Sequence, residues 1–224
     1  MKRSEINAQL RAAEIFFAHH HFHLPPVARW TPEDWRHAGP DTAELAEVGI
    51  GWDLTDFGRG NFAKEGLLLF TIRNGKADDP GYRKPYAEKI MIVREGQLTI
   101  THHHIRKTED IINRGGGRLL LVLHNSTPDG GLADTEVRVV VDGRLRVLPP
   151  AAIVALSPGE SITLEPGLWH SFWGEQGAGD VLVGEVSSVN DDRTDNRFLG
   201  AQLRFPEIEE DEPPYRLLVS DYPK

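Results

Sequence analysis

Short apolar stretches alternate with turn sequences along most of this chain, and this rhythm constrains the fold more than any other feature. From Leu67 onward the stretches between turns are too short for helices and suit single β-strands. Evenly spaced short strands are typical of an antiparallel sandwich or barrel. We therefore predict an all-β region over residues 61–205. The turn signals lie at residues 73–75, 94–96, 115–117, 129–131, 142–143 and 157–159.

One strand pair can be predicted with its turn. The segments Val137–Val141 and Arg144–Leu148 flank the dipeptide Asp142-Gly143. Asp-Gly suits a two-residue turn with positive φ angles, which matches the twist of paired strands. These segments are predicted to form a β-hairpin.

The two ends of the chain differ from the middle. Residues 4–20 carry an apolar stripe at helical spacing with Ser4 as a capping residue, and a second helix is predicted to begin after Thr31. We assign residues 1–60 to a helical extension packed on the barrel, within a single domain. Residues 206–224 form a tail whose acidic part is predicted to be a solvated surface segment. The stripe consists of Ile6, Leu10, Ala13 and Phe17.

Composition excludes several classes of protein. Among 224 residues, 34 are acidic and 25 basic, giving a formal charge of −9, which opposes binding to phosphate backbones. There are no cysteines, so disulfides and sulfur-ligated metal sites are excluded. No stretch approaches the ~20 apolar residues of a membrane span. We expect a cytoplasmic protein that binds neither nucleic acid nor membrane.

Two groups of histidines stand out. The first (His19, His20, His21 and His23) lies at the end of the predicted helix without a carboxylate at ligand spacing, so we predict a surface or packing role. In the second, His102 and His104 share strand parity, which points both imidazoles to one face. Glu109 follows after a turn, and His170 can supply a third imidazole. Three imidazoles and one carboxylate suit Mn²⁺, Fe²⁺, Co²⁺, Ni²⁺ or Zn²⁺.

The spacing of these residues resembles a known pattern. Gly96, His102, His104, Glu109 and Gly116 reproduce the first motif of the cupin superfamily, and Pro166-Gly167 before His170 resembles the second. The resemblance implies a jelly-roll β-barrel with a metal at its mouth. Longer segments are similar to the D-lyxose isomerase family of cupins: residues 51–58, 71–75, 86–89, 104–117 and 185–192. That resemblance implies interconversion of D-lyxose and D-xylulose, with D-mannose and D-fructose as a further candidate pair, by a homodimer with a divalent metal, usually manganese.

Isomerisation between C1 and C2 needs a general base, and Glu185 is our first candidate. It shares parity with Val181 and Val183, so it faces inward if the valines do, where burial would raise its pKa. Parity alone also allows the opposite assignment, with Glu185 in solvent. Lys89 is an inward proton donor or a solvated strand lysine. Lys107 contacts the sugar or pairs with Glu109 or Asp110.

Four residues are candidates for binding the sugar. Asp191 and Arg197 lie in a polar loop that could cover the mouth, although such loops are usually only turns. Trp169 and Phe172 could form a platform for the sugar ring or belong to the core. Two other functions stay open from the sequence: a metal-dependent cupin oxygenase, and a cupin that binds sugar without catalysis.

Overall fold

The computed structural model describes residues 1–79, 81–200, 204 and 207–222. Three α-helices precede the sheets: α1 (Arg3–His19), α2 (Pro32–Arg36) and α3 (Ala43–Glu47). Within the described residues, none of the helices has both the length and the apolar character needed to cross a bilayer.

Two antiparallel sheets make up most of the remaining structure. The larger sheet has the strand order β1-β2-β3-β12-β5-β10-β7-β8, and the smaller has the order β13-β4-β11-β6-β9. The antiparallel β architecture predicted from the turn spacing is therefore confirmed. The strands are β1 (Gly51–Thr55), β2 (Leu67–Arg73), β3 (Tyr86–Val93), β4 (Thr99–His104), β5 (Glu109–Gly116), β6 (Leu119–His124), β7 (Val137–Val141), β8 (Arg144–Leu148), β9 (Ile153–Leu156), β10 (Ser161–Leu164), β11 (Trp169–Gly174), β12 (Val181–Ser188) and β13 (Asn196–Phe198).

Part of the larger sheet is buried on both faces. The inner face packs on the smaller sheet through residues such as Met91 and Val183. The outer face is covered by α1, whose Leu10 and Phe17 share a second core with Ile90 and Leu182. Strands β3 and β12 are therefore apolar on both sides. This is why residue parity alone could not tell the inside of the barrel from its outside.

The predicted hairpin and helices are confirmed, with small shifts. Val141 pairs with Arg144 across the turn, and Asp142 and Gly143 have φ angles of 48° and 73°. Thr31 caps α2 by accepting a hydrogen bond from the Asp34 N–H. The cap of α1 is Lys2 rather than Ser4, because Ser4 lies in the first turn and binds Asp211 instead.

The segment predicted as a helical extension also contains a strand. β1 lies within residues 1–60 and pairs with β2 along its whole length, from Gly51 opposite Thr71 to Thr55 opposite Leu67. The division at residue 60 therefore separates two strands of one sheet. The strand is only five residues long, and although Asp53 and Thr55 alternate with Trp52 and Leu54, all five residues are buried, so no face is marked as the exposed one.

The acidic tail lies at the surface and is hydrogen-bonded to α1. Residues 206, 223 and 224 lie outside the described residues, but in the rest Asp211 accepts hydrogen bonds from the Ser4 backbone N–H and hydroxyl. Glu212 accepts from the Asn7 side chain. Carboxylates are stabilised at a helix N-terminus by its unpaired N–H groups and its dipole. The exposure of the five acidic residues between Glu207 and Glu212 agrees with the prediction of a solvated surface segment, and these hydrogen bonds also fix the segment to α1.

Arg3 is the main polar contact between α1 and the tail. Its side chain is 2% exposed and pairs with Glu210 at 2.6 Å and Asp221 at 2.8 Å. We expect Arg3→Ala to lower the free energy of unfolding by about 2 kcal/mol, less than the ~3–5 kcal/mol of a fully buried pair because Glu210 is 56% exposed. Urea denaturation measures this loss.

Arg36→Ala is the matched control. Arg36 also pairs with a carboxylate, that of Glu33, but its side chain is 69% exposed. Exposed pairs contribute roughly 0–1 kcal/mol, so this change should have little effect. Equal losses for the two variants would show that Arg3 does not anchor the tail.

Candidate active site

Three histidines meet between the sheets at one end of the molecule. His102 and His104 lie on β4, and His170 lies opposite His102 on the neighbouring strand β11. The Nε2 atoms of His102 and His170 are 3.1 Å apart. One ring nitrogen from each of the three residues lies within 4.8 Å of the others. The sequence predicted this convergence from strand parity and from the two motifs.

Hydrogen bonds orient two of these imidazoles. Nδ1 of His102 lies 2.8 Å from the Ile100 carbonyl, and Nδ1 of His170 lies 2.9 Å from the Leu168 carbonyl. A carbonyl only accepts, so Nδ1 of each ring carries a proton, and the Nε2 atoms that face each other are where a neutral imidazole has its lone pair. Two lone pairs at this distance repel unless a cation lies between them. This donor arrangement therefore fits a metal ion.

Glu109, the first residue of β5, brings a carboxylate to the histidines. Its oxygens lie 3.4 Å from Nε2 of His104 and 3.2 Å from Nε2 of His170. Burial lowers the pKa of His102 well below its usual value and also lowers that of His104. Both rings are thus neutral at pH 7, the form that binds metals. The four side chains offer nitrogen and oxygen donors to a divalent cation.

Two lysines and two glutamates form a buried network beside the histidines. Nζ of Lys107 lies 2.6 Å from Glu109 and 2.9 Å from Glu185. Nζ of Lys89 lies 3.1 Å from the same Oε1 of Glu185. Burial disfavours the charge of Lys107, but the two carboxylates outweigh it and raise its pKa. All four side chains are at least nine-tenths buried.

Lys89 and Glu185 both face the interior. They are directly opposite each other on β3 and β12, in line with the core residues Met91 and Val183. The inward alternatives for these two residues are therefore the correct ones. The expected rise in the pKa of Glu185 is wrong: burial acts to raise it, but the charges of Lys107 and Lys89 lower it below its usual value. Glu185 is a carboxylate at neutral pH.

Strand β4 does not keep one parity along its length. Its partners on β11 shift between the pairs His102↔His170 and Thr99↔Phe172, so β4 contains one extra residue. This irregularity turns Thr99 toward the site, where its buried hydroxyl has no hydrogen-bond partner within the described structure. The sequence pattern predicted an apolar stripe through Ile100 instead. The sequence of a single strand does not show where such a bulge will form.

Only some of the residues predicted to bind the sugar lie in the site. Phe172 lines the site and stacks on His170 with ring centroids 6.5 Å apart. Trp169 points to the other face of β11, where its ring packs 4.4 Å from that of His103. Arg197 is exposed on the outward side of β13, opposite His103. Neither Trp169 nor Arg197 is in the site, because strand alternation places neighbours on opposite faces.

Several residues of the site were not predicted from the sequence. Asn196 and Phe198 flank Arg197 on β13 and line the cavity. Their alternation could have identified them had the loop been recognised as a strand. Asn190 accepts hydrogen bonds from both lysines. Arg204 pairs with Asp53 and Asp192, which are 151 and 12 residues away in sequence. No local sequence pattern predicts these contacts.

The histidine site opens into a small cavity of about 40 Å³. That volume suits an ion with a few waters, since one water needs roughly 10–15 Å³ on this scale. A second cavity of about 270 Å³ lies on the other side of Lys107, which lines both. Asp191 lines the second cavity, and its carboxylate accepts hydrogen bonds from the backbone of Arg193 and Thr194.

Comparison with known proteins agrees with this geometry. A family model described as D-lyxose isomerase matches residues 1–222. The chain is 51% identical to a D-lyxose/D-mannose isomerase of Serratia proteamaculans and 52% identical to one of Escherichia coli O157:H7, covering 99% of this chain and 98% of each relative. An L-ribose isomerase structure from Cellulomonas parahominis covers 93% of this chain and 98% of its own, with 17% identity and a TM-score of 0.60, which supports the same fold. The chain belongs to the D-lyxose isomerase family.

Proposed function

We propose that this protein interconverts D-lyxose and D-xylulose, and D-mannose and D-fructose, by moving a proton between C1 and C2 through an enediol. The observation that carries the proposal is a carboxylate, Glu185, held by two ammonium groups beside a cluster of metal-type donors. Family membership and relatives named for both sugars support the choice of substrate.

We infer that His102, His104, His170 and Glu109 hold a divalent cation. The facing lone pairs of His102 and His170 support this assignment, as does the mixture of nitrogen and oxygen donors. A bound divalent cation supplies Lewis-acid polarisation of the sugar carbonyl. Manganese is our first choice from the family resemblance, with Co²⁺, Fe²⁺, Ni²⁺ or Zn²⁺ as alternatives.

Glu185 is proposed as the base. Lys107 and Lys89 lower its pKa, so the group is ionised at neutral pH, and the ionised carboxylate is the form that can accept a proton from the sugar carbon. The same group can return that proton to the neighbouring carbon, because the transfer between adjacent carbons needs only a small movement of the base. Its position on the central strand β12, between β3 and β5, holds it rigidly.

The two lysines are proposed to donate hydrogen bonds to the sugar oxygens. An ammonium group donates up to three hydrogen bonds, and Lys107 and Lys89 direct theirs to acceptors that surround the site. Either can donate to an oxygen on which negative charge develops as the base removes the carbon-bound proton. Phe172 supplies an apolar wall nearby. We also propose a homodimer, from the family resemblance, and a cytoplasmic location.

The metal assignment predicts that His104→Ala binds Mn²⁺ weakly and loses activity. Removing one of four donors lowers affinity and opens the site to water. Calorimetric titration of the apo protein with Mn²⁺ and elemental analysis measure the change. The control is His103→Ala, since His103 is the neighbouring histidine on the outward face of β4 and packs on Trp169. A His104→Ala protein with full metal occupancy would contradict the ligand assignment.

The assignment of the base predicts that Glu185→Gln retains metal but turns over D-lyxose roughly 100- to 10,000-fold more slowly, the usual effect of losing a general base. The assay follows D-xylulose formation under nitrogen, so that activity also excludes an oxygen-dependent reaction. Glu88→Gln is the control, because Glu88 precedes Lys89 on β3 and pairs with Arg73 on the other face. A near-normal rate for Glu185→Gln would assign the base elsewhere.

Isotope transfer tests the proton route directly. In D₂O, proton abstraction by Glu185 should place deuterium on the sugar carbon that receives the proton, to the extent that the carboxyl exchanges with solvent before return. Nuclear magnetic resonance of the product detects the label. Product formation is followed in the same sample, so that sugar binding without catalysis gives neither product nor label.

A further inference from the structure

Two asparagines link the lysine network to the rest of the fold. Oδ1 of Asn190 accepts hydrogen bonds from Lys89 Nζ at 2.7 Å and from Lys107 Nζ at 3.3 Å. It is a neutral acceptor shared by two buried cations. An amide oxygen directs both ammonium groups without adding a third negative charge beside Glu109 and Glu185. Asn190 lies two residues beyond the end of β12.

Asn74 in turn holds the backbone of Asn190. The Asn190 N–H donates to Oδ1 of Asn74 at 3.0 Å, and Nδ2 of Asn74 donates to the Asn190 carbonyl at 3.0 Å. The side chain of Asn74 thus makes the two hydrogen bonds that a paired strand residue would make. Its remaining amide proton goes to the Val48 carbonyl at 3.0 Å. Asn74 is only 5% exposed, so these contacts are shielded from water.

The residue after Asn74 is a glycine, and this allows the backbone beside Asn74 to approach neighbouring segments closely. A Cβ on the next residue, Gly75, would lie 1.9 Å from the Lys84 carbonyl oxygen and 2.9 Å from a methyl group of Val189. Only glycine permits this close approach of the segment after β2 to the Lys84 backbone just before β3 and to the Val189 side chain just after β12. The three backbone segments that meet here come from α3, β2 and β12.

We propose that Asn74 is a positioning residue for catalysis: by fixing Asn190, it sets the direction of the Lys89 and Lys107 ammonium groups at the reacting sugar. Asn74 itself lies behind Asn190 and acts only through it. This inference rests on the proposed function, because the lysines are assigned there as donors to the sugar. It gives a role to two residues that do not belong to the proposed metal set.

The test is a double-mutant cycle with Asn74→Ala, Asn190→Ala and the double variant, assayed as metal-loaded full-length protein with D-lyxose. We expect each single variant to lower kcat about 10- to 100-fold, the scale of a misplaced catalytic group, with KM within about 3-fold of the native value. Because Asn74 acts through Asn190, the double variant should be no slower than Asn190→Ala. A purely structural role for Asn74 would instead give losses that add.

Asn125→Ala is the matched control. Asn125 also uses its amide for two hydrogen bonds, to Thr135 and to the Glu136 carbonyl, in a loop outside the site. It should keep native kcat. If Asn74→Ala folds poorly by its thermal melt, Asn74→Asp replaces it: the side chain keeps its size but turns an oxygen toward the Asn190 carbonyl, and the same loss of kcat is expected. A native kcat in either soluble Asn74 variant, or additive losses, would overturn the proposal.

A crystal structure of Asn74→Ala separates this inference from the proposed function. We expect the contact between Lys89 Nζ and Oδ1 of Asn190, 2.7 Å in the native protein, to be broken. An unchanged contact would overturn the positioning role whatever the activity. If instead the native protein and Asn125→Ala both fail to isomerise D-lyxose, the proposed function fails, and the same structure still decides whether Asn74 fixes Asn190.

Discussion

The site depends on the mutual neutralisation of four buried charges. Lys89 and Lys107 face Glu109 and Glu185, and each ammonium has a carboxylate within 3.1 Å. A charge taken out of water is costly unless it is paired and hydrogen-bonded. The network therefore allows ionised groups to lie inside an apolar barrel. It also fixes their protonation, since the lysines hold Glu109 and Glu185 as carboxylates.

The surrounding fold supports the strands that carry this network from both sides. On the inner side, the apolar residues of both sheets pack together below the histidines, and on the outer side α1 covers the larger sheet. The tail in turn holds α1 through Arg3 and the hydrogen bonds of Asp211. Helix, tail and sheet thus form successive layers over the strands that carry Lys89 and Glu185. A site built on central strands is rigid, which suits proton transfer over short distances.

The residues predicted best were those whose neighbours in sequence are also their neighbours in space. His102 and His104 lie on β4, and Glu109 begins β5 after a single turn, so their spacing predicts how they meet. The choice of face for Lys89 and Glu185 stayed open because Ile90 and Leu182, on the opposite face, are as buried as Met91 and Val183. Arg197 and Trp169 were misplaced because neither was assigned to a face of a strand: Arg197 lies on β13, which was predicted as a loop, and Trp169 lies on the opposite face of β11 from His170.

The sequence by itself determined the antiparallel β architecture, the hairpin at Asp142-Gly143, the first two helices and the set of histidines, because these follow from local periodicity, turn chemistry and motif spacing. Only the tertiary structure decided which face of β12 is inside, that β4 carries an extra residue at Thr99, and that Asn74 meets Asn190. Those contacts join segments far apart in the chain, 116 residues in the case of the two asparagines. They depend on how sheets and loops pack together, and no local pattern of residues encodes that packing.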